Sequence, residues 1–332
     1  MAASSALPYR PYTDFLRTYF TGKVQKLPVD VGMTCPVRDG TKGRGGCAFC
    51  NGRSFVPRTC AGDVTTQLEA GKQFFARKHR ALAQRVNYLA YFQAGSNTYA
   101  PVHVADSYFR EAMAVDGVEG LVIATRPDCL GEEWLDYLQA LCQETFVMVE
   151  LGVESLNDRT LLHMGRGHDR LTSERAIQQL AARGIPVGVH LILGLPGESR
   201  SDLLLQARLL STLPVDVVKL HHLQILRGAR WAATYLQNPN AFSLFTVDDY
   251  VSLVVDYLER LRADIAVERL VSQSPKGALL APSWGLKPDE VQSLVLHHFA
   301  KVSGYQGKKV FLVIVVFLHD YPKIDFLSTE HA

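Results

Sequence analysis

Residues 35–55, CPVRDGTKGRGGCAFCNGRSF, combine three cysteines with five glycines and four basic side chains. Eleven residues separate Cys35 from Cys47, and two more separate Cys47 from Cys50. A Cys-x-x-Cys turn directs two thiolates at one metal ion or cluster, and a third thiolate from the long arm completes one face. The glycines allow close approach of the backbone, and the basic side chains favour thiolates or an anionic cluster. The segment therefore predicts a metal centre.

Three cysteines leave one coordination position open. Structural zinc takes four protein ligands, whereas a [4Fe–4S] cluster with one iron free for a non-protein ligand needs only three. The spacing favours the iron–sulfur cluster. A zinc site completed by a distant histidine, or three thiols without metal, remain alternatives at this point.

The composition of the rest of the chain is that of a globular enzyme. Its 332 residues are 47% hydrophobic and 20% charged, which excludes a disordered chain, a collagen-like fibre and a coiled coil. The longest apolar run, Val310–Leu318, has nine residues, whereas about 18 are needed to span a bilayer. The first residues contain no apolar signal-peptide region. We therefore expect a cytoplasmic protein with no membrane association.

Charge is distributed unevenly along the chain. Residues 1–80 carry 13 Lys and Arg against 5 Asp and Glu, whereas the remainder carries 22 against 28. A basic amino-terminal quarter suits an anionic partner such as nucleic acid. Solvated basic residues without a functional role would give the same uneven charge distribution.

Short apolar runs alternate with helical patterns beyond the cysteine segment, which is typical of βα units on a parallel sheet. Up to residue 227 this pattern indicates an α/β fold, either a partial (β/α)6 barrel or an open sheet. Residues 228–307 are expected to form a small carboxy-terminal α/β extension, and 308–332 an atypical apolar tail. The six predicted strands are Val29–Met33, Asn87–Phe92, Gly120–Ala124, Phe146–Val153, Val187–Leu193 and Val215–Leu223.

Seven islands of sequence, in order between about residues 8 and 307, resemble the radical S-adenosylmethionine superfamily. Within it, the chain is similar to the YhcC-like family, which is related to the catalytic subunit of Elongator. The resemblance implies a partial TIM-like barrel with the cysteine loop, 34–55, at its mouth. The islands are the cysteine segment, YFQAGSNTY (91–99), ATRPDCL (124–130), VELGVES (149–155), RGHD (166–169), HLILGLPGES (190–199) and KLHHLQILRGA (219–229).

The resemblance also implies a mechanism. Cys35, Cys47 and Cys50 would each bind one iron of a [4Fe–4S] cluster, and the fourth iron would chelate S-adenosylmethionine. An electron from the reduced cluster would cleave the sulfonium and form a 5′-deoxyadenosyl radical, which abstracts hydrogen from a substrate. The cofactor carries this chemistry, while the protein orients the groups and excludes water.

The family's cofactor contacts map onto residues at the carboxyl ends of the predicted strands. Several of them have simpler interpretations: a polar turn at 93–97, a surface arginine at a helix end for Arg166, and a core histidine for His190. The residues expected to bind the cofactor are Gln93, Ser96, Asn97, Thr125, Glu150, Glu154, Arg166, His190 and Gly194.

Two residues are expected on the substrate side. Lys219 and His221 end the sixth predicted strand and, being two residues apart, point to the same face. The alternative for both is a packing role. Glu150 and Glu154 share a face for the same reason, because an even number of residues separates them.

The substrate is open at this stage. The characterised relatives of the resembled family modify wobble uridines of tRNA, and the basic amino-terminal quarter agrees with an RNA substrate. A small metabolite or peptide substrate is an alternative, and so is a zinc-stabilised RNA-binding module without catalysis. A radical enzyme of this kind also requires a reducing partner of the flavodoxin or ferredoxin type.

Overall fold

Seven parallel strands form a curved sheet whose spatial order follows the chain. The computed structural model describes residues 7–52, 56–57, 59–78, 86–275 and 277–310. The strands of this sheet are β1 (Lys23–Val29), β2 (Val86–Phe92), β3 (Val118–Thr125), β4 (Phe146–Glu154), β5 (Val187–Leu193), β6 (Val217–His222) and β8 (Ala266–Arg269). Two short strands, β7 (Ile225–Leu226) and β9 (Leu279–Ala281), pair antiparallel beside it.

Helices connect the strands, as right-handed βαβ units require. Together with the sheet they form a partial TIM-like barrel, so the predicted fold class is confirmed. The helices are α1 (Tyr12–Leu16), α2 (Val64–Lys78), α3 (Val102–Met113), α4 (Glu132–Leu141), α5 (Asp158–His163), α6 (Arg170–Ala182), α7 (Arg200–Ser211), α8 (Arg230–Gln237), α9 (Val247–Arg260) and α10 (Pro288–Lys301).

The first strand differs from the sequence prediction. The predicted strand at Val29–Met33 is wrong, because β1 covers Lys23–Val29 and pairs with β2 from Lys23↔Val86 to Val29↔Phe92. The sequence hides this strand because its inward face carries Lys26 in place of an apolar residue. Val31 and Met33 instead pack against the core from a loop.

Alternate residues of each strand face two different apolar layers. Ala90 and Phe92 of β2 pack outward against the helices. Leu89 belongs to a second cluster inside the curve of the sheet, where Met148 of β4 and Ala266 of β8 join it. Phe15 of α1 packs into this inner cluster and closes the amino-terminal end of the barrel. The opposite end, where the strands finish, is the usual position of chemistry in such folds.

Residues from 228–310 pack directly on the barrel. Strand β8 pairs parallel with β6 and is the seventh strand of the sheet. Gln306 accepts a hydrogen bond from the Arg10 backbone N–H (2.9 Å) and donates to the carbonyls of Arg262 and Ile265 (2.8 and 2.7 Å). This glutamine joins the two ends of the described chain. The predicted tail at 308–332 lies outside the described residues except for 308–310.

Candidate active site

The cysteine loop lies across the carboxyl ends of the strands and is held by backbone hydrogen bonds. The Ala48 N–H donates to the carbonyl of Met164 (2.8 Å), and the Ala48 carbonyl accepts from the Trp231 N–H (3.0 Å). The Cys-x-x-Cys segment closes as a turn, because the Cys50 N–H donates to the Cys47 carbonyl (3.0 Å). The loop therefore stands between the end of α5 and the start of α8.

Each of the three predicted ligand cysteines has at least one hydrogen-bond partner at its sulfur. The Ser96 hydroxyl lies 3.1 Å from the Sγ of Cys35. Cys50 accepts from the backbone N–H of Gly52 (3.3 Å). Cys47 accepts from the Nη1 of Arg166 (3.4 Å). All six cysteines of the chain are free thiols.

The loop after β2 reaches the cysteine loop because Gly95 has no side chain. Its φ is +73°, and a Cβ there would overlap the carbonyl of Met33. This contact lets the Ser96 N–H donate to the carbonyl of Thr34 (3.1 Å). Asn97 is buried and uses its amide to hold two strand ends, since its Nδ2 donates to the carbonyls of Phe92 and Ala124 (both 2.9 Å).

An arginine that the sequence prediction overlooked lies behind the cysteines. The Arg126 side chain is 3% exposed and binds the equally buried Asp128 through two hydrogen bonds (2.8 and 3.1 Å). Its Nη1 lies 3.9 Å from the Sγ of Cys47. Lys42 of the cysteine loop binds the same carboxylate (2.8 Å). The neighbouring Thr125 hydroxyl is not directed at the cysteines, because it is hydrogen-bonded to a threonine hydroxyl (2.6 Å).

Arg166 links Cys47 of the cysteine loop to the end of β4. Its Nη1 donates to the Sγ of Cys47 (3.4 Å), and its Nη2 donates to the carbonyl of Gly152 and lies 3.8 Å from a carboxylate oxygen of Glu154. A Cβ at Gly152 would stand 2.8 Å from that guanidinium, so the glycine makes room for it. Glu154 has a φ of +67°, a left-handed conformation that is rare for a residue other than glycine.

A closed ring of ion pairs crosses the barrel interior below the mouth. Glu150 contacts the Nζ atoms of Lys26 (2.5 Å) and Lys219 (2.6 Å). Glu268 contacts the same two ammonium groups (2.7 and 3.0 Å). The pair formed by Lys26 and Glu268 joins β1 to β8, the two edge strands of the sheet. His190 donates its Nε2 proton to Glu150 (2.8 Å).

The electrostatics of this ring favour a charged carboxylate at its centre. Burial by itself would raise the pKa of Glu150, but the charges of Lys219 and Lys26 and the hydrogen bond from His190 outweigh it and hold that pKa well below its usual range. His221 lies with its ring centre 5.5 Å from that of His190. Burial lowers the pKa of His221 well below its usual value, so this imidazole is neutral at pH 7.

Lys219 lies deeper than the substrate-side position expected for it. Its side chain is 3% exposed and also donates to the hydroxyl of Tyr91 (3.2 Å), over whose ring it stands. His221 alone of the predicted pair is more open. At the rim, the side of Gly194 where a Cβ would stand is filled by the ring of Phe245 (2.6 Å).

Comparison with known proteins agrees with this arrangement. The model of the Radical SAM superfamily matches residues 40–210, and that of the Radical_SAM C-terminal domain matches residues 215–299. Protein YhcC of Escherichia coli is 34% identical over 263 residues, which are 79% of this chain and 82% of that one. The chain belongs to the radical SAM superfamily.

Two further matches of this radical SAM protein are an archaeal Elp3 and a tRNA uridine(34) acetyltransferase. An archaeal Elp3 from Methanocaldococcus infernus superposes with a TM-score of 0.65 at 16% identity, over 86% of this chain and 65% of that one. The tRNA uridine(34) acetyltransferase of Dehalococcoides mccartyi is 30% identical over 156 residues, 44% of this chain and 33% of the relative. The resemblance to the YhcC-like family is thus confirmed, and the Elp3 match confirms the fold.

Family membership decides between the two metal hypotheses. As a radical SAM enzyme the protein uses a [4Fe–4S] cluster and S-adenosylmethionine, so the alternative of a non-catalytic zinc module is set aside. Among the described residues, no three His, Cys, Asp or Glu side chains are grouped as ligands of one metal ion. In a cubane cluster each thiolate binds a different iron, so the three sulfurs stand farther apart than the ligands of a single metal ion. No helix in the described ranges has the length and apolarity needed to cross a membrane.

The mouth of the barrel suits both cofactors of this radical SAM enzyme. Three thiols face N–H and O–H donors, which is the environment that an anionic cluster requires. Arg166 is 95% buried, and its Nε has no hydrogen-bond partner in the described part of the chain. The same is true of the Oδ1 of buried Asn97. Buried polar atoms without partners mark a place where a polar group is missing, so the residues fit the cofactors.

Several residues of the site escaped prediction from sequence, for different reasons. Arg126 was within reach, because it belongs to the ATRPDCL island that carried the resemblance. Lys26 and Glu268 had no such signal. Each is a charged residue inside a short strand, and the two carboxylate partners of Lys26 are 124 and 242 residues away.

Proposed function

We propose that this radical SAM enzyme abstracts a hydrogen atom from a uridine of tRNA, using a cluster held by Cys35, Cys47 and Cys50. The observation that carries the cluster assignment is the set of three free thiols at the barrel mouth, each next to a hydrogen-bond donor. The match to a relative named as a tRNA uridine(34) acetyltransferase supports the RNA substrate. The excess of basic residues in residues 1–80, 13 Lys and Arg against 5 Asp and Glu, agrees with an anionic substrate.

The cluster supplies, when reduced, the electron that cleaves S-adenosylmethionine and so produces the radical that removes a hydrogen atom. The protein's own residues hold and shield the groups. Asp128 fixes Arg126 near Cys47, while the Ser96 hydroxyl contacts the Sγ of Cys35. Gly95, which has no side chain, allows the loop that carries Ser96 to approach the backbone at Met33.

Arg166 is the proposed partner of the cofactor carboxylate. Its Nε is buried and without a hydrogen-bond partner among the described atoms, and a guanidinium suits a carboxylate geometrically. Glu154, 3.8 Å from it, limits where that carboxylate can bind. His190, whose ring position is fixed by Glu150, faces the interior below. The remaining proposed lining of the cofactor site is Gln93, Asn97, Thr125 and Gly194.

Glu150 and Lys219 have a supporting role in this proposal. Their contacts are saturated by the ion-pair ring, which fixes the floor of the chamber. His221 is the residue we propose on the substrate side. As a neutral imidazole it can donate and accept hydrogen bonds, which suits an uncharged polar base.

The test compares modified nucleosides in tRNA from cells with and without this protein. Total tRNA is digested to nucleosides and separated by chromatography with mass detection. We expect a uridine derivative to disappear from the deletion strain and to return with the wild-type gene. It should not return with a Cys47→Ala gene. Unchanged digests would refute the RNA substrate and favour a small metabolite or peptide.

The reducing partner is a separate proposal. A flavodoxin- or ferredoxin-like donor is expected because cleavage of S-adenosylmethionine consumes one electron. Cofactor cleavage by the purified enzyme with a reduced flavodoxin would support that proposal, and cleavage with dithionite only would contradict it.

A further inference from the structure

Three arginines from separate parts of the chain converge on the cysteine sulfurs. Arg38 of the cysteine loop points an Nη2 at the Sγ of Cys50 (3.7 Å) and at its carbonyl (3.3 Å). Arg126, after β3, and Arg166, after α5, both point a guanidinium nitrogen at Cys47 (3.9 and 3.4 Å). Two of the three thiols therefore face a permanent positive charge.

The surrounding structure holds these guanidinium groups in fixed positions. Arg126 and Arg166 have side chains that are 3% and 6% exposed. Arg38 lies on Gly46 and Gly52, whose φ values are +80° and +83°. A Cβ at either glycine would stand 2.6 or 2.9 Å from the Arg38 guanidinium. Gly46 and Gly52 thus leave room for the Arg38 guanidinium and also allow the loop to turn.

The three arginines differ in how far their charge is neutralised. Arg126 is paired with Asp128 at 2.8 Å, and Arg166 has Glu154 at 3.8 Å. Within the described residues, Arg38 makes no ion pair with a carboxylate. Its charge is therefore directed at Cys50 without a competing anion in contact.

We infer that Arg38, Arg126 and Arg166 raise the reduction potential of the cluster proposed on Cys35, Cys47 and Cys50. Reduction adds one electron to a centre that already carries the charge of its thiolates. Fixed positive charge and N–H donors at the sulfurs stabilise the reduced state more than the oxidised state. Burial strengthens this effect, because the medium around Arg126 and Arg166 screens charge poorly. The arginines thereby ease the entry of the electron that the reductant supplies.

The inference is tested on the anaerobically reconstituted holoenzyme, without substrate or S-adenosylmethionine. The midpoint potential is measured by a dithionite titration followed by electron paramagnetic resonance. The variants are Arg38→Gln, Arg38→Lys and Arg126→Gln. The matched control is Arg44→Gln, which removes an exposed charge from the same loop, where no described hydrogen bond joins Arg44 to a cysteine sulfur.

We expect Arg38→Gln and Arg126→Gln to shift the midpoint to more negative potential, and Arg44→Gln to leave it at the wild-type value. Arg38→Lys should fall between Arg38→Gln and the wild type, because an ammonium keeps the charge and loses the planar donor. Equal potentials for wild type, Arg38→Gln and Arg126→Gln would overturn the inference. So would a shift in Arg44→Gln as large as that in Arg38→Gln.

Two measurements keep this test separate from the proposals on which it rests. Iron and sulfide content are measured for every variant. If Arg126→Gln fails to take up a cluster after losing its contact with Asp128, the Arg38 series decides by itself. A full cluster in a Cys47→Ala variant would overturn the ligand assignment. A loaded cluster with unchanged potential in Arg38→Gln, and in Arg126→Gln where that variant also loads, would overturn only the role of the arginines.

Discussion

Removal of the Glu150 charge is expected to destabilise the barrel from within. Glu150 is fully buried and neutralises Lys26 and Lys219 at 2.5 and 2.6 Å. In a Glu150→Gln variant both ammonium groups share Glu268 alone. Breaking a buried ion pair from one side costs roughly 3–5 kcal/mol. Because Glu268 still contacts both lysines, we expect the lower end, about 3 kcal/mol, and a melting temperature lower by on the order of 5–10 °C.

The assay is urea unfolding of the apoprotein at pH 7, followed by circular dichroism. Glu132→Gln is the control, because it removes a carboxylate that also forms an ion pair (2.6 Å, to Arg183) but is 68% exposed. That change should cost less than about 1 kcal/mol. A Glu150→Gln protein as stable as the Glu132→Gln protein would refute the reasoning that the ring carries stability.

The same carboxylate predicts a pH dependence. The pKa of Glu150 is held well below its usual range, because its lysine partners outweigh the opposing effect of burial. Its contribution to stability is therefore complete above the unfolded-state pKa of about 4.3 and is lost as pH falls through the folded value. The difference between wild type and Glu150→Gln should be constant from pH 5 to 7 and shrink only in more acidic solution.

Three further predictions concern the mouth of the barrel. Gly95→Ala should lower the iron content after reconstitution, because a Cβ there would overlap the carbonyl of Met33. Gly184→Ala is the control, since Gly184 has a similar φ of +70° but open space around the Cβ position. This control variant should lose only about 1 kcal/mol of stability and keep its iron. Burial raises the pKa of Glu198 to about 7, so the ionised carboxylate destabilises the folded protein at pH 8. Glu198→Gln should therefore stabilise the protein at pH 8 by up to ~3 kcal/mol. Thermal melts at several pH values should show that this gain disappears below pH 4.5, where the carboxyl is protonated in both states. Asp128→Asn should destabilise by about 3 kcal/mol or more in urea unfolding, since a buried arginine loses its partner, whereas Lys42→Ala should change stability by less than about 1 kcal/mol.

A Glu198→Gln variant that is less stable than wild type at pH 8 would contradict the raised pKa. Equal losses of stability in Asp128→Asn and Lys42→Ala would show that the contact of Asp128 with Lys42, and not its buried pair with Arg126, carries the stabilisation.

The sequence by itself determined the alternation of strands and helices, the cysteine loop and the family. These features are local, because burial on one face repeats every two residues in a strand. Predicted β5 agrees with the structure at both ends, Val187–Leu193. The same rule failed at β1, whose inward position is filled by Lys26. A pattern of apolar residues cannot identify a strand whose buried face is charged.

Only the tertiary structure decided which charges meet. Lys26 and Glu268 are 242 residues apart and touch because the curvature of the sheet brings its two edge strands together. Arg126 and Cys47, 79 residues apart, meet because the cysteine loop folds back over the end of β3. Sequence spacing carries no information on either contact, since each depends on the register and curvature of the whole sheet. The residues that carry the chemistry could therefore be identified from the sequence, whereas the charged residues around them were identified only from the tertiary structure.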